Sequence, residues 1–177
     1  LINQNFTDYE IILINDGSTD NSPVILEEYA KKYPEKILVY HEKNSGQAVA
    51  RNLGLSKARG DYIMFVDSDD YIDKNTLKVT YDKAQETMAD IVCFGIYLVY
   101  DNEIKTKEFH KLKIADDVRR YILTNDGPCN KLIKTELIKK NNLYFPKLRA
   151  YEDIAVVPAY GIFAKKIVWV DECFYYY

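Results

Sequence analysis

Residues 10–20 read EIILINDGSTD, an apolar run rich in β-branched side chains that stops at Asn15-Asp16-Gly17. Residues 37–40 (ILVY) and 62–66 (YIMFV) follow the same pattern. Near-continuous apolar runs of this length predict strands buried on both faces of a parallel sheet. Helical patterns lie between them. Ser22 is a good N-cap with Pro23 at the first helical position, and Val24, Ile25, Leu26, Tyr29 and Ala30 supply the apolar stripe. Residues 46–58 form a second helix with Ala48, Val49, Ala50, Leu53 and Leu55 as its buried positions, and residues 75–87 a third. Strand–helix alternation with short connections predicts right-handed βαβ units in a twisted, mostly parallel sheet flanked by helices.

After Asp90 the rhythm changes. Residues 91–100 and 103–109 flank Asp101-Asn102 and predict an antiparallel hairpin. Helices over 116–123, 135–140 and 152–164 follow, and two short strands, 167–170 and 174–177, close the chain. The pattern is that of one α/β domain over residues 1–177, whose second half, 91–177, extends or caps the sheet begun in 1–90.

Composition narrows the function. With 177 residues the chain can bury one hydrophobic core, and 47% apolar with 29% charged residues is the balance of a globular protein. The net charge of −3, with a pI of about 5.5, argues against a dedicated nucleic-acid binder, whose footprint is basic. The longest apolar run, residues 91–100, falls short of the roughly 20 residues that span a bilayer. Cys93, Cys129 and Cys173 are odd in number, widely spaced and never in a C-x-x-C arrangement, which fits buried thiols better than a disulfide framework or a zinc site. The 16 tyrosines suit core and rim packing, or stacking on sugar rings.

In open parallel sheets, ligands bind outside the carboxyl ends of the strands. There the polar residues are Asn15-Asp16-Gly17-Ser18-Thr19-Asp20, His41-Glu42-Lys43-Asn44-Ser45-Gly46 and Asp67-Ser68-Asp69-Asp70. In an extended segment, Asp67 and Asp69 point to one side. That is the minimal grip for Mn²⁺ or Mg²⁺, which draws the rest of its shell from water and substrate phosphates. The alternative is a turn and helix-capping cluster. Asp16 is suited to accept from the imide N–H of a nucleobase, or else to close an Asx-turn. Asn44 to Gln47 open a helix that carries Arg51, a combination that attracts anions or simply caps a helix with one surface arginine. Glu152-Asp153 stand where a first helical turn favours acids, and a catalytic carboxylate is the sharper alternative.

Taken in order, Asn15-Asp16-Gly17-Ser18-Thr19-Asp20, Asn44-Ser45-Gly46 with Ala50-Arg51-Asn52, Phe65-Val66-Asp67-Ser68-Asp69-Asp70 and Tyr151-Glu152-Asp153 resemble the family 2 glycosyltransferases. Asn130-Lys131-Leu132 ahead of Phe145-Pro146 resembles the segment before the Glu-Asp motif in many bacterial members. The resemblance implies an inverting enzyme with the Rossmann-like GT-A fold, an antiparallel hairpin and a helical acceptor side. It implies that Asp16 contacts the base, most often uracil, and that Asn44, Gly46 and Arg51 lie near the nucleotide diphosphate. Asp67 and Ser68 would sit near the ribose and metal, with Asp69, joined by Asp67, as ligand of Mn²⁺ or Mg²⁺. Asp153 would deprotonate the acceptor hydroxyl, with Glu152 as neighbour or substitute. The implied partners are a nucleotide-diphosphate sugar, UDP-linked by preference, and a glycan or lipid-linked acceptor in cell-surface polysaccharide synthesis. The implied location is the cytoplasm at the inner face of the membrane, reached through segments outside this chain.

Members of the family begin with a strand and helix, of which Leu1-Ile2-Asn3-Gln4 resembles only the end, and the Phe174-to-Tyr177 ending also looks cut. The expectation is therefore a fragment whose sheet lacks a strand. Two rival readings share these residues. One is a haloacid-dehalogenase-like phosphatase with Asp67 as nucleophile, although Asp67-Ser68-Asp69-Asp70 lacks the Thr or Val expected after the second Asp. The other is a non-catalytic relative that binds a glycan or partner through its tyrosines.

Overall fold

The structure, a computed structural model, describes residues 1–100, 103–108, 121, 127–148 and 150–177. Strands β1 (Ile11–Asp16) and β2 (Ile37–Glu42) pair in parallel, Ile11 opposite Ile37, around helix α1 (Ser22–Lys32). Helix α2 (Gln47–Lys57) leads to β3 (Tyr62–Ile63), the acidic turn, β4 (Tyr71–Ile72) and α3 (Thr76–Thr87). The second half adds β5 (Ile91–Tyr100), β6 (Glu103–Glu108), β7 (Lys131–Lys134), α4 (Thr135–Lys140), α5 (Glu152–Phe163) and β8 (Ile167–Tyr176).

A six-stranded sheet runs β3-β7-β5-β8-β4, with β6 beside the outer half of β5. The predicted hairpin is present, Tyr100 facing Glu103. Among the described residues, parallel pairing is confined to β1–β2 and β5–β8, so the six-stranded sheet is mixed rather than mostly parallel. The cause is local: β6 folds straight back on β5, and β7 and β4 reach their partners antiparallel.

β5 explains the layering. Ile91 and Cys93 point into a core shared with Ile133, Ile138, Val157 and Tyr160, under α4 and α5. Val92 points to the other face, against Ala84 and Leu132 beneath α3. Phe94 joins Phe174 and Tyr175 in a third cluster near the acidic turn. Each fully buried Ile or Val here contributes roughly 1.5–3 kcal/mol.

Three local readings change. The 62–66 run forms ladder bonds only at Tyr62 and Ile63, yet keeps its alternation: Phe65 packs on the first core while Met64 and Val66 pack on the third. The two closing strands are one strand. Between the pairs Cys93–Trp169 and Gly95–Cys173, β8 carries two more residues than β5, so exposed Asp171 and Glu172 sit in a bulge instead of a break. Ser22 is not the cap of α1 but its first residue; Asn21 is the cap, and Asp20 Oδ1 accepts the Ser22 N–H at 2.9 Å. The predicted helix over 116–123 lies outside the described residues apart from Tyr121, and so does Phe109 at the end of the hairpin.

Candidate active site

At the end of β1, both oxygens of Asp16 are engaged. Oδ1 accepts the Ser45 N–H at 2.7 Å and Oδ2 the Gly46 N–H at 2.8 Å. The anion at the α2 N-terminus is therefore the protein's own carboxylate, supplied from 29 and 30 positions away. Each oxygen keeps a second acceptor site, so the role read for Asp16 toward a base remains open to it. Gly17 makes the contact possible. It has φ +74°, and a Cβ there would lie 2.7 Å from the Asn44 backbone nitrogen. Gly17→Ala should lower the unfolding free energy by about 1–3 kcal/mol through backbone strain; an unchanged urea midpoint would show that the turn yields.

Beside it runs a chain that sequence reading missed. Buried Asn15 donates from Nδ2 to His41 Nδ1 (2.9 Å), its Oδ1 accepts the Ser18 N–H (3.0 Å), and His41 Nε2 donates to Glu27 (2.8 Å). It fixes the NDGS turn that carries Asp16.

The acidic turn is held from β8. The Asp67 N–H donates to the Tyr175 hydroxyl at 3.1 Å, and that hydroxyl donates to Asp70 Oδ2 at 2.5 Å. Burial raises the Asp70 carboxyl above its ordinary value, aided by the charges of Asp69 and Asp67 and opposed by the Tyr175 bond. Burial pushes the Tyr175 phenol far up, and neighbouring Cys129 and Asp70 add to it. The Cys129 thiol is pushed up to about 12 by burial and by Asp67, so it stays protonated. Ser68 and Asp69 are exposed.

Among the described residues no group of three or more His, Cys, Asp or Glu side chains surrounds a metal position. The segment turns instead of running extended, the Asp70 N–H meeting the Asp67 carbonyl at 3.2 Å, and Asp69 with Asp67 would hold Mn²⁺ or Mg²⁺ only as a partial shell completed by water and a diphosphate, not as an all-protein cage.

Arg51 joins this turn to the second half. Its Nη2 donates to Asp67 Oδ1 at 3.0 Å and its Nη1 to Glu152 Oε1 at 2.8 Å, with the guanidinium 5.3 Å from the Phe145 ring centroid. Its side chain is 10% exposed and that of Glu152 9%, so this ion pair is withdrawn from water. With its amide turned to satisfy both ends, Gln47 donates to Glu152 Oε1 (3.0 Å) and accepts from Arg51 Nη2 (2.6 Å). Asp153 is the neighbour left over: half-buried, with Oδ1 accepting the Ile154 N–H at 2.9 Å. Breaking a buried pair strands the other charge and costs about 3–5 kcal/mol. Arg51→Met should show that loss by chemical denaturation, with part regained in Arg51→Met/Glu152→Gln; full stability of the single variant would mean a hydrated pair.

Comparison with known proteins settles the family. The model of Glycosyl transferase family 2 matches residues 1–141. The chain belongs to that family. Across 98% of its length the family 2 chain is 36% identical to the cholesterol galactosyltransferase of Borreliella burgdorferi, covering 53% of that protein. It is 37% identical, over its whole length, to the poly(ribitol-phosphate) β-glucosyltransferase of Bacillus spizizenii, covering 28% of it. In structure it matches S. aureus TarS 1–349 in complex with UDP, with a TM-score of 0.86, 31% identity and coverage of 99% of this chain and 53% of that one. The GT-A fold implied by the motifs is thus the fold of the chain. It spans about half the length of the first of these relatives and less of the second.

The family 2 motifs therefore meet in two groups. Asp16, Asn44 and Gly46 form one, and Arg51, Asp67 and Glu152 the other, with Ser68, Asp69 and Asp153 on its edge. The Arg51 guanidinium, read as a diphosphate contact, is bonded to two carboxylates here. Tyr175 and Cys129 were not read as site residues; nothing in their sequence neighbourhood separates them from packing side chains.

Proposed function

We propose that this family 2 chain transfers a sugar from a nucleotide-diphosphate sugar, UDP-linked by preference, to an acceptor hydroxyl with inversion, in cell-surface polysaccharide synthesis. The observation that carries the reading is the Arg51 bridge. One guanidinium bonds both Asp67 of the strand-end turn and Glu152 of the Glu-Asp pair, so donor-side and acceptor-side acids share one site.

Asp16, braced by the α2 N-terminus, accepts from the imide N–H of the base. Asp69 and Asp67 would hold Mn²⁺ or Mg²⁺, which, when bound, offsets the charge on the departing diphosphate. Glu152 is spent on Arg51, and Asp153 is the carboxylate that takes the acceptor hydroxyl's proton as the oxygen attacks the anomeric carbon. The new carbon–oxygen bond forms as the bond to the diphosphate oxygen breaks, so configuration inverts in a single displacement. The acceptor is a glycan or a lipid-linked saccharide, and the work is done in the cytoplasm at the inner face of the membrane. UDP-bound TarS supports the donor class, and family membership removes the phosphatase reading. The test is Mn²⁺-dependent release of UDP from UDP-sugars; its absence across UDP-, GDP- and TDP-sugars would favour the non-catalytic relative.

A further inference from the structure

Tyr175 belongs to β8, at the far end of the chain from the acidic turn, yet it meets that turn on two sides. The chain entering the turn donates its Asp67 N–H to the Tyr175 hydroxyl, and the hydroxyl in turn donates a hydrogen bond to Asp70 Oδ2. The chain leaving the turn becomes β4, which pairs with β8 through Tyr71–Tyr176 and Ile72–Tyr175. On its other side Tyr175 faces Ile96 of β5. The residue is 2% exposed and belongs to a cluster with Phe94, Phe174, Val66 and Ile72. The phenol is therefore a rigid post, fixed by two ladders and a core.

We propose that Tyr175 is a positioning residue for the donor's metal and diphosphate. Its hydroxyl sets the backbone of residues 67–70 and takes Asp70 out of the ligand set, leaving Asp69 and Asp67 for the ion. This rests on the metal role read above for Asp67 and Asp69. A short bond to a carboxylate is among the stronger neutral-donor hydrogen bonds, and the backbone N–H it also satisfies would be stranded without it. The second half of the chain thus shapes the donor motif of the first.

The test is calorimetric titration of UDP into the intact protein, with and without Mn²⁺. The quantity read is the gain in affinity that Mn²⁺ brings. Tyr175→Phe should keep the metal-free affinity and lose about tenfold of the Mn²⁺-linked gain, the size of one lost charge-assisted bond. Tyr176→Phe, one residue on and stacked on Tyr71, should leave the gain intact. A folded Tyr175→Phe with the full gain overturns the proposal and reduces Tyr175 to packing. Asp70→Asn decides the matter if Tyr175→Phe does not fold: the amide oxygen still accepts from the phenol, so the gain should survive, and its collapse would make Asp70 a ligand and refute the assignment. If the unsubstituted protein shows no Mn²⁺-linked gain at all, the metal reading itself fails, and the role of Tyr175 with it.

Discussion

Asp153→Asn should lower sugar transfer by about 10²–10⁴-fold, the range that a lost general base spans, while UDP binding stays near the native value. The substitution keeps size and the acceptor oxygen that meets the Ile154 N–H, but it cannot take a proton. The neighbour sharpens the expectation. Glu152 is buried and bonded to Arg51, so Glu152→Gln disturbs a structural pair rather than the reacting proton. Its effect should appear more in stability than in kcat at a temperature where the variant stays folded. Steady-state transfer with a fixed acceptor checks both. If transfer survives Asp153→Asn and collapses in folded Glu152→Gln, the roles are reversed. If neither changes it, the pair only opens a helix.

Asp69→Ala should abolish the Mn²⁺-dependent part of UDP affinity and leave only metal-free binding. Asp69 is the exposed acid of the turn, whereas Asp67 is partly committed to Arg51 and Asp70 to Tyr175. An ion that keeps one or two protein carboxylates has no replacement for it nearby. Asp20→Ala is the control, since Asp20 holds the Ser22 N–H at the start of α1. It should leave UDP binding unchanged. Equal Mn²⁺-linked affinity in native protein and Asp69→Ala would remove the metal assignment.

The strands of residues 10–20 and 62–70 were legible because an apolar, β-branched run that stops at polar residues reads as a strand reaching a sheet edge, but their burial was not: Ile12, Leu13 and Ile14 are half-buried, and the 62–66 run pairs antiparallel at Tyr62 and Ile63 alone. Periodicity placed α2, α3, α4 and α5 within a residue or two. It did not mark β4 or β7 as strands, since two and four residues are too few to show a period, and both pair antiparallel. Nor could it show the β8 bulge, where Asp171-Glu172 looks identical to a turn between two strands.

The site divides the same way. The acids at strand ends and helix starts were visible as motifs, but their bonding was not. Arg51 meets Glu152 across 101 positions and Tyr175 meets Asp67 across 108, and no local spacing encodes such pairings. Arg51 read as an anion grip because it follows a helix N-terminus; that N-terminus was already occupied by Asp16. One clue was available: Gly46, the residue before α2, has no side chain to cap it, so a cap from elsewhere in the fold was to be expected.

UDP release from a panel of UDP-sugars in the presence of Mn²⁺, compared between the native protein, Asp69→Ala and Asp153→Asn, decides whether these acids carry sugar transfer. The native protein should turn over at least one sugar, stimulated by a saccharide acceptor, and both variants should be reduced about a hundredfold or more. Native turnover that neither substitution diminishes would contradict that role.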